Sequence, residues 1–184
     1  MSEMPEALPK SELERLIKIK GRPADPVIVE ADAGERAALA KRFGLPGIDT
    51  LHAEVDVEQR GTAIRATGTL TAAIRQSCAI SGEDFPAQIE EALDLRFVEK
   101  GTPDPALDED AEVEIELHAD DCDEIEYSGD AFDLGEAIAQ TLGLAIDPYA
   151  EGPSADEARA KAGISKEGEQ EGPLADMLRG LTKD

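Results

Sequence analysis

The strongest constraint on the fold is a change of period near residue 51. From there to residue 97, apolar residues recur at every second position, in runs separated by short turns. Leu51, Ala53, Val55 and Val57 share one parity, and His52, Glu54 and Asp56 hold the other. After "RG" at 60–61, Ile64, Ala66, Leu70, Ala72 and Ile74 fall in phase, with Gly68 between them as a place for a bend or bulge. After "SGED", Phe85, Ala87, Ile89, Leu93, Leu95 and Phe97 alternate again. Glu91 falls on the apolar parity, which predicts a bulge or an edge position there. A period of two cannot be buried along one side of a helix. Consecutive runs of this kind predict an antiparallel meander with one buried face, open or curled toward a barrel.

Two helices flank the meander. In "ADAGERAALAKRFGLPG", Asp32 can cap the first turn with Glu35 three residues on, Gly44 can take the left-handed C-terminal conformation, and Pro46 blocks continuation. In "DAFDLGEAIAQTLGLAIDPYAEGP", Leu134, Ala137, Ile138, Thr141, Leu142 and Ala145 follow helical spacing. Asp133 is a candidate cap for that helix with Glu136 three residues on, and Pro148 is expected to stop it. Upstream, "DPVIVEA" predicts a strand, and "LERLIKIKG" is open between a strand in its second half, from Leu13, Ile17 and Ile19, and a helix start capped by Ser11 with Glu14. The fold class is therefore α+β, a meander with two main helices and a weakly structured C-terminal tail. Residues 1–150 are expected to form one domain. Residues 151–184 are expected to form a polar linker, with 151–172 either linker or a weakly helical tail, ending in a short amphipathic segment with Leu174, Met177, Leu178 and Leu181 at helical spacing.

Charge is unevenly placed. The formal net charge is −24, yet Lys10, Arg15, Lys18, Lys20 and Arg22 gather near the N-terminus. Residues 101–130 hold no Lys or Arg. Within them 101–111 reads as a loop, and the alternation of Val113, Ile115 and Leu117, then of Ile125 and Tyr127, predicts two strands with an acidic outer face. Glu112, Glu114 and Glu116 on that face are candidates for contact with a basic partner. Lys18, Lys20 and Arg22 are candidates for contact with phosphate.

Catalytic patterns are sparse. His52 and His118 both lie on polar parities, and no Walker loop, Rossmann fingerprint or nucleophile motif occurs. Cys78 and Cys122 have no CxxC partner, so neither a zinc site nor any other cofactor is expected. The "DDCDE" run lacks the glycine and ligand order of an EF-hand. With no signal peptide and no apolar run long enough to span a membrane, the chain is expected to be soluble and cytoplasmic.

The order of segments resembles the YceD family of large ribosomal RNA subunit accumulation proteins, in an alphaproteobacterial-like form. The resemblance rests on "VIVEADAGERAALAKRFGLPGIDTLHAEVDV", "GTLTAAIRQSCAISGEDFPAQIEEALDLRFV", "DLGEAIAQTLGLAIDPYA" and the terminal "PLADMLRGL". Its motif positions here are Cys78, Asp133, Leu134, Gly135, Glu136 and Pro148. Many members carry paired cysteines where this chain has Cys78 followed by Ile80, Ser81 and Gly82, so a metal or redox role of the pair is in doubt here. Cys78 is expected to be a half-buried strand-end residue. The resemblance implies a bacterial role in accumulating the large-subunit ribosomal RNA. The acidic surface suggests a non-enzymatic factor that contacts a basic ribosomal protein or an assembly factor. The alternatives are direct binding of ribosomal RNA or its precursor through the basic N-terminal segment, and a metal-dependent RNA-processing hydrolase. No membrane partner or small-molecule substrate is expected.

Overall fold

The computed structural model describes residues 11–101 and 123–163. Their elements are β1 (Leu16–Lys18), β2 (Val27–Glu30), α1 (Ala33–Phe43), β3 (Gly47–Arg60), β4 (Ala63–Ser77), β5 (Asp84–Glu99), β6 (Asp123–Tyr127), β7 (Ala131–Asp133), α2 (Leu134–Ala145) and α3 (Ala155–Ala162). The strands 113–117, the loop before them and the terminal amphipathic segment lie outside the described residues. So do Lys10, His118 and Cys122.

Strands β2 to β6 form a five-stranded sheet in sequence order, and β1 pairs with β7 in a separate two-stranded ribbon. β2 and β6 are the ends of the sheet, so among the described residues it is open and no barrel closes. The meander holds through β5. β6, however, joins β5 in parallel, with Leu95 opposite Asp123 and Phe97 opposite Ile125. Alternation reports which face a strand buries, not its direction. β5 ends at Glu99 and β6 starts at Asp123, a separation longer than the dozen or so residues that a parallel connection requires.

The inward parity of the long hairpin is buried as its pattern predicts, with Ala53, Val55, Ala66 and Leu70 fully inaccessible. Gly68 is not a bulge. It pairs regularly with Val55, and the register shift falls between Ile48 and Thr50. A Cβ at Gly68 would stand 2.0 Å from the Glu54 carbonyl oxygen, so close backbone approach is what requires glycine there. Glu91, on the inward parity of β5, is exposed.

α1 carries a complete capping box: Asp32 accepts from the Glu35 amide, and the Glu35 carboxylate accepts from the Asp32 amide. Gly44 ends it at φ 67°. α1 packs on β3, and Leu39 joins Val29, Leu51, Phe97, Ile138 and Leu142 in one apolar core. Each such buried side chain contributes about 1.5–3 kcal/mol.

There are three helices among the described residues rather than two main ones, because α3 forms in the stretch expected to be linker or a weakly helical tail. Its signals are electrostatic rather than apolar: acids in the first turn, bases in the last, a Lys161–Glu157 pair and a left-handed Gly163 cap. Only Ala155 is buried, so no hydrophobic period marks it.

The chain forms two compact units. One takes residues 11–75, 86–101 and 123–147, and the other residues 76–85 and 148–163.

Candidate functional site

The quoted "DLGE" stretch places four residues with separate tasks at the start of α2. Asp133 is the N-cap. One carboxylate oxygen accepts from the Glu136 amide at 3.2 Å and from the Arg15 amide at 2.9 Å. A single side chain thus caps α2 and ties down the segment leading into β1. Leu134 is fully buried, and its amide donates to the Arg15 carbonyl at 3.0 Å. At Gly135 a Cβ would stand 1.8 Å from the Leu13 carbonyl oxygen, so only glycine lets the two backbones meet.

Glu136 faces outward and gathers donors. Arg42 holds it with both guanidinium nitrogens, at 2.9 and 2.7 Å. The Ser11 hydroxyl donates at 2.9 Å and the Gln140 amide at 3.1 Å. Arg42 also donates to Glu12 at 2.9 Å. Arg42 holds the Glu136 carboxyl down at about 2, against partial burial, with help from Gln140 and Ser11. Glu136 and then Glu12 in turn raise the Arg42 guanidinium further above its ordinary range, again against partial burial.

This network forms one wall of a groove of about 670 Å³. The other walls are β5, β6 and β7. Phe97 and Phe132 pack at 4.3 Å between centroids, and Tyr127 lies 6.2 Å from Phe132. Phe97, Phe132 and Ala137 are buried beneath the floor, and the half-buried Ile125 and Tyr127 supply its accessible apolar surface. The rim carries the carboxylates of Glu12, Glu126, Asp133 and Glu136 against one guanidinium, that of Arg42. A floor of this kind can take an apolar or aromatic side chain out of water, and the surplus of acids favours a cationic surround.

The expected site residues scatter. Asp133, Leu134, Gly135 and Glu136 belong to the groove or its support. Lys18, the last residue of β1, and Lys20, just past it, are exposed and do not line the groove. Arg22 is half-buried and staples a turn, donating to the Ile19 carbonyl at 2.6 Å and to Gln59 at 2.8 Å. Glu112, Glu114 and Glu116 lie outside the described residues.

Cys78 and Pro148 belong to the second unit. Pro148 is exposed in a turn. Cys78 is not half-buried but 3% exposed, one position past β4. The turn wraps round it: its Sγ accepts from the Ile80 and Ser81 amides at 3.4 and 3.3 Å. The Ser81 hydroxyl first, then the Ser81, Gly152 and Ile80 amides, lower the thiol to about 7 against its burial. A Cβ at Gly152 would stand 3.4 Å from the Cys78 Cβ. Among the described residues no three His, Cys, Asp or Glu side chains converge on a metal-sized site.

Sequence reasoning missed Glu12, Arg42, Phe97, Tyr127 and Phe132 as site residues. One signal was available. The chain has four Phe and two Tyr, and half of them meet at this groove.

Residues 66–177 match the sequence profile of the family described as large ribosomal RNA subunit accumulation protein YceD, over more than half of the 184-residue chain. No curated protein and no solved structure matches.

Proposed function

The chain belongs to the YceD family of large ribosomal RNA subunit accumulation proteins, and from that premise we propose that it supports accumulation of this RNA by holding a basic ribosomal protein or assembly factor, without catalysing a reaction. The observation that carries the reading is the groove: an apolar floor of Ile125 and Tyr127, backed by the buried Phe97–Phe132 pair, beneath an acid-rich rim. An apolar anchor of the partner enters the floor, and Lys or Arg beside it meets Glu12 and Glu126. The net charge of −24, to which Glu112, Glu114 and Glu116 add, steers basic partners from a distance.

The test is association kinetics against isolated large-subunit ribosomal proteins. Tyr127→Ala should speed dissociation at least tenfold by emptying the floor. Neutralising Glu112, Glu114 and Glu116 to Gln should slow association, and added salt should mimic it. If none of the basic proteins distinguishes parent from Tyr127→Ala, the groove is not the docking site.

A second reading, direct RNA contact by the N-terminal segment, is favoured by Lys18 and Lys20, which are exposed and have no carboxylate partner among the described residues. Its discriminator is loss of RNA binding in Lys18→Gln/Lys20→Gln.

A further inference from the structure

We propose that a basic notch between α1 and the adjoining ends of β3 and β4 binds the phosphate backbone of RNA. This goes beyond protein capture and uses a different surface. The notch holds about 420 Å³. Arg36 and Lys41 reach it from α1, and Arg75 reaches it from β4. Ala40, Leu45 and Ile48 supply an apolar floor.

Glycine 47 makes the seat for Arg75. Gly47 and Arg75 are register partners, and a Cβ at 47 would stand 2.6 Å from the Arg75 Nη2. The guanidinium therefore lies across bare backbone at the start of β3. It keeps a 3.4 Å contact with Asp49, but both side chains are more than half exposed, and such a pair is weak and open to exchange. Arg36 spends one nitrogen on the Ala31 carbonyl at 2.6 Å.

The charge pattern makes this cluster unusual. The chain has 42 acidic and 18 basic residues, and Arg15, Arg42, Arg60, Arg96 and Arg159 are each held by a carboxylate. Arg36 and Lys41 have no such partner among the described residues, although they share one concavity with Arg75. Two guanidinium forks match phosphate oxygens, and their flat faces beside an apolar floor can carry a base. That pairing of features favours a nucleotide chain over an acidic peptide. The site is distinct from Lys18 and Lys20. Arg22 of that segment bonds Gln59 near the opposite end of β3, roughly 40 Å from Gly47 along an extended strand.

The net charge of −24 repels RNA at long range. With a Debye length of about 8 Å, contacts at hydrogen-bond distance survive this repulsion. Three cations neutralise few phosphates, so log K against log salt should have a shallow slope of about −2 for single-stranded RNA.

The experiment is fluorescence anisotropy of a labelled 20-nucleotide single-stranded RNA with the full chain, across a salt series. Arg36→Gln/Lys41→Gln and, separately, Arg75→Gln should each weaken binding about tenfold with melting temperature unchanged. The double variant should also flatten the slope by about 1.4. Lys18→Gln/Lys20→Gln should bind like the parent. A parent that binds no RNA at 50 mM salt overturns the proposal, as does loss confined to the N-terminal variant. Polyglutamate of equal length competing as well as RNA would assign the notch to an acidic polypeptide instead. Uridine monophosphate competing equally, nucleotide for nucleotide, would reduce it to a mononucleotide site.

Discussion

At the scale of single residues, Glu136 and Gly135 are adjacent and act through different physics. The folded Glu136 carboxyl sits at about 2 against an ordinary 4.5. A depressed acid stabilises the fold above its unfolded value, and that contribution fades as pH falls from about 4.5 through 2. Its side chain is 27% exposed, so screening leaves about 2 kcal/mol of the about 3 kcal/mol that the difference implies. Glu136→Gln should therefore lose about 2 kcal/mol in urea unfolding at pH 7. The gap from the parent should close toward pH 2, and a gap constant with pH would mean that the Arg42 ion pair is not its source. Gly135 tests sterics alone. Glycine to alanine inside a helix ordinarily gains up to about 1 kcal/mol. Here the new Cβ would stand 1.8 Å from the Leu13 carbonyl oxygen, so Gly135→Ala should destabilise by about 3 kcal/mol or more. A stabilised variant would disprove the close approach of the two backbones.

At the scale of elements, α2 is the hub of the first unit. Its N-cap fixes β7 and the approach to β1, its outer face lines the groove, and its inner face is core. Of the predicted stripe, Leu134, Ala137, Ile138 and Leu142 are buried while Thr141 and Ala145 are only partly so, and Gly135 and Ala139 are buried as well. Leu142→Asp places a charge at a fully inaccessible position, a change that should cost more than about 4 kcal/mol. Circular dichroism should show loss of the cooperative melt, and an unaltered melt would mean that the stripe faces solvent. Both major helices were legible because their ends carry chemistry: Asp32 with Glu35, Gly44, and Asp133 with Glu136. α3 was legible only as a weakly helical alternative to linker, since ion pairs without an apolar face leave no period to read.

At the scale of the whole molecule, charge dominates. A chain at −24 repels itself when compact. Raising ionic strength from 0.01 to 0.15 M shortens the Debye length from about 30 to about 8 Å. The melting temperature should rise by several degrees, about 5 °C if the relief amounts to roughly 1 kcal/mol. Calorimetry in sodium chloride checks this, and a melting temperature that falls with salt would mean that the ion pairs outweigh the repulsion. The same field sets the roles proposed for the two surfaces. The acid-rimmed groove works with it, and the basic notch works against it at short range.

The sequence by itself determined the parity of the strands, the caps of the two main helices and the sign of the field, because each is written in residues close together along the chain. It also carried the "DLGE" motif, though not the reason for it. Only the tertiary structure decided that Gly135 meets Leu13, that Arg42 from α1 clasps Glu136 from α2, and that β6 runs parallel to β5. It alone gathered Phe97, Tyr127 and Phe132 under one acid rim, and Arg36, Lys41 and Arg75 around one notch. These are contacts between residues tens of positions apart. Local periodicity records which face of an element is buried, and it holds no record of which other element covers that face.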